Sequence, residues 1–516
     1  MPCMLSTRCR PANGEINALV SNAGRPELTA TCPADHRQPH PKRSDSPCSS
    51  TCSPMNEPHF SFRVTRSIFL AVCLVARGLA ATPEQAPEFE WATSAGGLKN
   101  DKTRAINIDR EGNVFLAGEV TDEVKFGDTT LKSAGGMDFF VAKLDAKGKF
   151  LWARLGGGSL VDRGYGVAAD AAGNCYVTGH YQSTDANFGG FILPNRGDYD
   201  IFTAKYDRHG KLLWVRAAGG KGYDYGHGIA VDEAGDVIVT GAVVGDAEFG
   251  DVKVPNDPGS HIFCAKYHTD GALVWVKAAT GKAGGSGHGV AVDAKGNIYI
   301  GGNSSGSGQF GDRALVTPRG SSAVVVKLSP QGDVLWITQQ FGEPSCLFHE
   351  ITCDKEGRVW ASGMFKGKAT LGTEIFTTTG DKDSDAFLCH FDTDGKLLWS
   401  RVGQGPAVDY GLGVATDGKG NSFLTGEFTD TFKLGGEELH SRGATDVYVA
   451  KFDAKGALRW ITQGGGDKGD NAYTMVCDTQ GNLFLGGSFG GTAKFSEAAI
   501  TSVGSNDLYG AKLKAK

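Results

Sequence analysis

Three histidines recur at one interval in the middle of the chain. His227, His288 and His349 stand 61 residues apart, and each lies five residues before an aspartate that begins an Asp-x-x-Gly motif. Neutral imidazoles on neighbouring strands could bind a metal ion or an anionic ligand. In the other copies of the motif, the same position holds Arg104, Tyr165, Leu412 and Tyr473.

This row of residues has two interpretations. We predict a ligand-binding site without metal, and the side chains predicted to form it are Arg104, Tyr165, His227, His288, His349 and Tyr473. The alternative is packing between neighbouring strands, because the position shares a strand face with apolar residues such as Ile229 and Val231.

A second row is acidic and lies eight residues before the same motif. It comprises Asp101, Asp162, Asp224, Asp409 and Asp470. A ring of carboxylates could attract cations. We favour a local role instead, in which each aspartate caps nearby backbone N–H groups at the Gly-rich entry to a strand.

Both rows belong to a long internal repeat. Tryptophan recurs at intervals of 61 to 63 residues, at Trp91, Trp152, Trp214, Trp275, Trp336, Trp399 and Trp460. Between them stand seven aspartates, each followed by glycine three and nine residues later: Asp109, Asp170, Asp232, Asp293, Asp354, Asp417 and Asp478. A fixed period of this length indicates a repeat architecture.

One repeat predicts four short strands, a to d. In the first repeat they cover residues 106–108, 114–117, 139–144 and 150–152. Strands b and c are nearly continuous apolar runs, so both of their faces are covered. Four-stranded antiparallel sheets that are buried on both faces and repeated seven times predict an all-β, seven-bladed β-propeller.

The strands predicted near the two ends of the chain indicate how the ring closes. After the last a, b and c strands the chain stops, whereas a surplus strand around Trp91 precedes the first repeat. We predict that this N-terminal strand completes the last blade and closes the ring, which leaves no open edge. The a–b and c–d turns are short, and the b–c connections are long (residues 119–137 in the first repeat). We predict that binding occurs on the face with the long loops.

The repeat resembles a known family at these markers. The Asp-x-x-Gly-Asn turn, the Phe-Gly pair (Phe126-Gly127), the strand Asp385-Ala386-Phe387 and the Leu-Asp-x-x-Gly-x-Leu-x-Trp segment look like the bacterial SBBP β-propeller repeat. The resemblance covers residues 91–513. It implies an exported bacterial propeller that is extracellular or on the cell surface, and it supplies no general catalytic residues.

The segment from Leu144 to Trp152 is also similar to the repeats of quinoproteins. That resemblance implies an enzyme whose adjacent Cys-Cys pair lies by its cofactor, but the sequence contains no such pair. We therefore predict no cofactor.

The N-terminal region predicts export. A basic stretch, the apolar run of residues 68–76 and small residues up to Ala81 form a secretory signal that is too short to span a bilayer. We assign residues 1–54 to a disordered or untranslated leader, 55–81 to the signal peptide and 82–516 to the propeller.

Composition limits the classes of function. The 75 glycines with 40% hydrophobic residues suit many short strands and argue against disorder, and the net charge of −6 does not favour nucleic acid.

We predict a secreted, periplasmic or cell-surface bacterial protein, monomeric and without a membrane span after signal cleavage. Its predicted function is a non-catalytic binding or scaffold module for a protein or carbohydrate. The alternative is an enzyme at the channel mouth, such as a quinoprotein-like oxidoreductase.

Overall fold

The computed structural model describes residues 84–515, apart from residues 256, 381, 382 and 496. The predicted leader (1–54) and signal peptide (55–81) lie outside the described residues. Among the residues that are described, no helix has the length and apolar character needed to span a membrane.

The described chain is built from β-strands. The first two repeats, with the strand that precedes them, contain β1 (Phe89–Ala95), β2 (Lys102–Ile108), β3 (Val114–Phe126), β4 (Thr129–Leu144), β5 (Phe150–Gly156), β6 (Asp162–Ala169), β7 (Cys175–Tyr181), β8 (Asn187–Phe188), β9 (Phe191–Ile192), β10 (Asp200–Tyr206) and β11 (Leu212–Gly219). The third and fourth repeats contain β12 (Tyr225–Val231), β13 (Val237–Val244), β14 (Glu248–Phe249), β15 (Val252–Lys253), β16 (Ser260–Tyr267), β17 (Leu273–Gly281), β18 (Gly284–Val292), β19 (Ile298–Phe310), β20 (Arg313–Leu328) and β21 (Val334–Cys353).

Strand β21 is long because it also supplies the first strand of the fifth repeat. The remaining strands are β22 (Val359–Leu371), β23 (Glu374–Thr377), β24 (Asp385–Phe391), β25 (Leu397–Gly403), β26 (Tyr410–Thr416), β27 (Ser422–Phe428), β28 (Thr431–Leu434), β29 (Glu437–His440), β30 (Asp446–Phe452), β31 (Leu458–Gly466), β32 (Asp470–Cys477), β33 (Leu483–Phe489), β34 (Thr492–Phe495), β35 (Ala498–Thr501) and β36 (Asp507–Leu513).

Each repeat forms the predicted antiparallel order a-b-c-d. The first repeat is the sheet β2-β3-β4-β5, and the sixth begins β26-β27-β30-β31. In the last sheet, β32-β33-β36-β1, the fourth strand comes from the start of the described chain, and Ala92 lies opposite Ala511. Strands b and c are buried along their apolar runs, as expected for sheets covered on both faces.

The repeated aspartate–glycine motif is a hydrogen-bonded turn between strands a and b. Asp109 Oδ1 accepts the backbone N–H groups of Glu111 and Asn113, and its Oδ2 accepts the Asn113 side-chain amide. Gly112 takes a φ of +78°, a conformation that glycine adopts without steric cost. The aspartate and the glycine recur in every repeat, whereas the position of Asn113 holds Asp236 in the third repeat and Arg358 in the fifth.

The b–c connections were predicted to be long loops, but in the structure they are β-hairpins. In the first repeat this connection is a continuation of β3 and β4, with the turn at the Phe126-Gly127 pair. In every repeat the corresponding hairpin also pairs with strand d of the preceding sheet, for example Gly157 with Asn187 and Ala218 with Phe249. Backbone hydrogen bonds therefore join consecutive repeats.

The periodic tryptophans join the repeats a second time. Trp214 Nε1 donates to the carbonyl of Thr269, which lies in the c–d turn of the next repeat, at 3.0 Å. The same donation to the next turn is made by Trp91, Trp152, Trp275, Trp336 and Trp399. The core is likewise shared, since Phe115 and Phe139 of the first repeat pack in one cluster with Val177 and Phe202 of the second.

Candidate ligand-binding site

The predicted site residues share one backbone feature that the sequence did not reveal. In all seven a–b strand pairs the register shifts by one residue at the predicted row, for example between Gly226 and Gly228 around His227. Such a bulge leaves one residue unpaired and turns its side chain away from the regular strand alternation. The bulged residues are Arg104, Tyr165, His227, His288, His349, Leu412 and Tyr473.

All seven bulged side chains line one cavity of 410 Å³. We name it the mouth cavity. Its other lining residues are Leu347, Glu350, Met364, Tyr410 and Glu427. The structure therefore brings together every residue that was predicted for the site.

The bulged rings contact one another in chain order. Tyr165 stacks on His227 with centroids 4.5 Å apart, His227 lies 5.3 Å from His288, and His288 lies 5.9 Å from His349. The guanidinium of Arg104 lies over the rings of Tyr165 and Tyr473, at 5.3 and 5.2 Å. The alternative of simple packing is thus partly correct, because the same rings that line the cavity also pack side by side.

Burial keeps the imidazoles neutral. It lowers the pKa of His288 to about 4 and that of His349 to about 3. Burial, together with the neighbouring His288, lowers the pKa of His227 well below its ordinary value. At neutral pH each ring therefore presents one hydrogen-bond donor, one acceptor and two aromatic faces. Within the described parts of the chain, no group of three or more His, Cys, Asp and Glu has a metal-binding arrangement.

The positive charge in the mouth cavity is held by an ion pair. Arg104 donates from Nε and Nη2 to the carboxylate of Glu119, with Nη2 at 2.7 Å from Oε1. Glu119 is 1% exposed, so the pair is largely shielded from water. The bidentate bond fixes the guanidinium plane between Tyr165 and Tyr473.

Glu350 breaks the repetition of the cavity wall. The residue after the bulge is small in the other six repeats: Ala105, Gly166, Gly228, Gly289, Gly413 and Thr474. The Glu350 carboxyl lies against Gly289, where a Cβ would collide with it, and burial raises its pKa to about 7. Glu350 also lines a second cavity of 330 Å³, which shares Tyr165, His227 and His288 with the mouth cavity. Its carboxyl therefore lies at the boundary between the two cavities.

Two further lining residues were missed from the sequence. Tyr410 lies two residues before the bulge, and its ring contacts His349 at 6.1 Å, in the repeat whose bulged residue is Leu412. Glu427 is the strand-b partner of Tyr410 and accepts a short hydrogen bond from Asn471; burial raises its pKa. A signal existed for Glu427 and Glu119, since both follow the second glycine of the repeat and are acidic within an apolar strand.

The acidic row lies outside the mouth cavity. All five aspartates are 0% exposed. Asp101, for example, accepts the backbone N–H groups of Gly97 and Thr121, at 2.9 Å each. The predicted capping role is confirmed, and most members also accept the N–H of the residue four positions earlier.

Relatives of known sequence support the fold class. No known protein-family model matches the chain, so the resemblance to the SBBP repeat stays a prediction. An uncharacterised WD repeat-containing protein of Acanthamoeba polyphaga mimivirus is 23% identical over 458 residues, which cover 70% of this chain and 32% of that protein. The chain therefore spans less than a third of this relative. WD repeats build β-propellers, as do repeated four-stranded antiparallel sheets of the kind seen here. The chain has a β-propeller fold.

Solved structures that resemble this propeller have different partners. One is YCF48 bound to a D1 peptide, at 10% identity over 84% of this chain and 98% of that chain, with a TM-score of 0.37. Another is an ulvan lyase bound to a GlcA–Rha3S saccharide, at 9% identity over 78% of this chain and 93% of that chain, with a TM-score of 0.39. Likenesses at this level carry no argument about the ligand or activity of this propeller.

Proposed function

We propose that the protein is an exported bacterial propeller of the SBBP-repeat kind, with seven blades closed by its N-terminal strand. In this proposal it acts as a non-catalytic binding module, secreted, periplasmic or on the cell surface, and its ligand occupies the mouth cavity. The observation that carries the proposal is the set of bulges, which aim one side chain from each repeat into a single cavity.

Contacts between the first and last parts of the propeller support the closed ring. Strand β1 pairs with β36 of the seventh repeat, and Gly96, just after β1, bridges to Lys125 of the first repeat. One core cluster contains Leu116 of the first repeat together with Phe484 and Leu508 of the seventh. These contacts give the seventh and first repeats the same kinds of links that join other consecutive repeats.

The chemistry of the cavity wall favours a neutral ligand that is rich in hydroxyl groups. Neutral imidazoles and tyrosines offer hydrogen-bond donors and acceptors next to flat aromatic faces, while the charge of Arg104 is already paired with Glu119. Ligand sites commonly combine apolar faces with a few fixed polar groups. A terminal saccharide matches these features, so we favour a carbohydrate over a protein partner.

One observation favours an enzyme as the second candidate. Glu350 is a carboxyl with a pKa of about 7 beside His349, and groups with pKa values near neutrality serve as general acids or bases. Against this, the described lining of the mouth cavity contains no Ser, Cys or Lys that could act as a nucleophile. We therefore place binding first.

A glycan array tests the proposal directly. The chain from residue 82 onward, fluorescently labelled, is applied to neutral and anionic oligosaccharides. We expect binding to neutral saccharides and a loss of at least tenfold in affinity for His288→Ala. The matched control is His209→Ala, an exposed histidine outside the cavity. Absence of binding, or equal losses in both variants, contradicts the proposal; cleavage of the bound saccharide establishes the enzyme instead.

A further inference from the structure

A third row of aspartates stands at the start of strand c and meets the acidic row of the next repeat. Its members are Asp138, Asp200, Asp385, Asp446 and Asp507, which lie near Asp162, Asp224, Asp409, Asp470 and Asp101 respectively. Every one of these ten side chains is at most 2% exposed. We name them the aspartate pairs.

The pair of Asp138 and Asp162 shows the geometry. Asp162 accepts N–H groups from Gly158 and Gln182 and the Ser183 hydroxyl, and Asp138 Oδ2 accepts the N–H of Ala134. The remaining oxygen, Asp138 Oδ1, has no hydrogen-bond partner among the described residues. A Cβ on Gly157 would lie 2.8 Å from both Asp138 Oδ1 and Asp162 Oδ2. The absence of a side chain at Gly157 therefore lets two carboxyl oxygens approach the same point.

The arrangement recurs in two other pairs, at Gly219 and Gly465. Gly465 stands in the same place against Asp446 Oδ1 and Asp470 Oδ2, at 2.7 and 3.0 Å from its Cβ position. In one pair the glycine is replaced by Gln404, whose amide donates to Asp385 at 3.0 Å. Buried oxygens without a described partner occur in all five pairs: Asp138 Oδ1, Asp200 Oδ1, Asp385 Oδ1, Asp409 Oδ2, Asp446 Oδ1, Asp470 Oδ1 and Asp507 Oδ1.

In the two remaining repeats both partners are replaced together. His261 and Ser322 occupy the strand-c position, and the matching positions in the next repeat hold Gly285 and Cys346. His261 bonds to the carbonyl of Ala283, and Ser322 bonds to Thr317. No repeat retains one aspartate without the other, which indicates that each aspartate depends on its partner.

Two neighbouring buried carboxylates cannot both be ionised without a large electrostatic penalty. Backbone N–H groups satisfy some of the oxygens, but a proton between the two carboxyls would satisfy the orphaned oxygen as well. We propose that each aspartate pair shares a proton in the folded propeller, and that the loss of these protons makes the stability of the fold decrease as the pH rises.

Burial acts in the same direction in all of these groups. It raises the pKa of Asp138 and Asp101 to about 7, that of Asp409 to about 8, and that of Asp200 to about 6. At a pH below the ordinary pKa of an aspartate, these carboxyls are protonated in both the folded and the unfolded chain. Between that pKa and pH 8 the folded chain binds more protons than the unfolded chain, so its stability decreases as the pH rises.

Few cations oppose this effect. The charged groups that act on the pairs from surrounding segments are Glu119, Asp185, Arg196, Asp246, Asp383, Arg442 and Asp467. Arg196 and Arg442 lower the pKa values of Asp200 and Asp446 only in part, since burial is the larger cause.

The buried histidines affect stability only below their ordinary pKa of about 6.5, and thiols of the unfolded chain ionise near about 8.5. Glu350 also titrates between pH 6.5 and 8, because burial raises its pKa to about 7, so the aspartate pairs are tested in the Glu350→Gln background.

Thermal unfolding of the chain from residue 82 onward tests the proposal in that range. We expect the Tm to fall steadily from pH 6.5 to 8 in the absence of divalent cations. In Asp138→Asn the amide supplies a permanent hydrogen to Asp162, so the Tm at pH 8 should rise and the fall with pH should be smaller. The control Asp128→Asn changes an exposed aspartate and should follow Glu350→Gln alone.

A second measurement uses Glu350→Gln alone, which removes the Glu350 carboxyl. Infrared spectra of this folded variant at pH 7 should contain the carbonyl band of protonated carboxyl groups, and its unfolding at pH 7 should release protons. A Tm that is constant or increases from pH 6.5 to 8 overturns the proposal, as does the absence of the carbonyl band. A rise in Tm at pH 8 on adding millimolar calcium or magnesium also overturns it, because a cation would then occupy the position assigned to the proton.

Discussion

Trp91 of the first described strand donates its indole N–H to the carbonyl of Ala146, in the c–d turn of the first repeat. Trp91 also contacts the ring of Phe484 in the seventh repeat, with centroids 6.3 Å apart. One side chain therefore contacts the first and the last repeat at once. The stability of the propeller should depend on this segment.

Removal of the first strand should destabilise the entire propeller. A chain that begins at residue 96 lacks Phe89 and Ala95, which are buried in two different core clusters. We expect a loss of about 5 kcal/mol or more in the free energy of unfolding, which approaches the total stability of many domains. Urea denaturation followed by tryptophan fluorescence measures it. A chain that begins at residue 84 is the control, and equal midpoints for the two chains would refute ring closure.

The tryptophan hydrogen bonds between repeats should have a measurable effect on stability. Trp214→Phe removes the bond to Thr269 but keeps an aromatic ring at a position that is 7% exposed. We expect a loss of about 1–2 kcal/mol, since the carbonyl loses its partner and the ring is smaller. Leu213→Ala, at a neighbouring exposed position, should change stability little. Denaturation curves that coincide for Trp214→Phe and the wild type would show that the bond contributes nothing.

Glu350 should make stability depend on pH in its own right. Burial raises its pKa to about 7, so the folded chain binds the proton more tightly than the unfolded chain, and stability is lost as the pH rises towards 7. Glu350→Gln cannot ionise. It should therefore be more stable than the wild type at pH 8 by about 2–3 kcal/mol and similar to it at pH 4.5. Chemical denaturation at the two pH values checks this, and an equal difference at both would contradict it.

The imidazole of His288 should stay neutral in mild acid. Burial lowers its pKa to about 4, so the ring binds no proton between pH 8 and 5.5. Nuclear magnetic resonance of ¹⁵N-labelled histidine should show one ring, absent from His288→Asn, whose shifts do not change across this range. Titration of that ring near pH 6.5 would show that the mouth cavity is open to water.

The sequence was sufficient to predict those features whose residues recur in every repeat. The period of Trp152, Trp214 and Trp275 predicted the strands and their order, and the row through His227 predicted residues that do meet in one cavity. The b–c hairpin was missed because residues such as Glu123 and Lys125 are exposed and polar, so no apolar run marks the strand. Pairing of this hairpin with the preceding repeat is a backbone interaction, which side-chain patterns do not report.

The sequence also did not predict which side chains contact each other between consecutive repeats. The aspartate row was correctly predicted to cap backbone N–H groups, because Asp162 and Gly158 are close in sequence. The neighbour of Asp162, Asp138, lies within a different strand, β4, and nothing in the local pattern connects the two. The bulge at His227 was invisible for a similar reason, since a shift of register depends on both strands of a pair.

A crystal structure of the propeller with the best saccharide from the array tests most directly whether the bulged residues form the ligand site. We expect the saccharide in the mouth cavity, with a ring face against His227 or His288 and a hydroxyl within hydrogen-bond distance of Glu350. A saccharide bound elsewhere on the propeller, with the mouth cavity filled only by water, would contradict the proposed function.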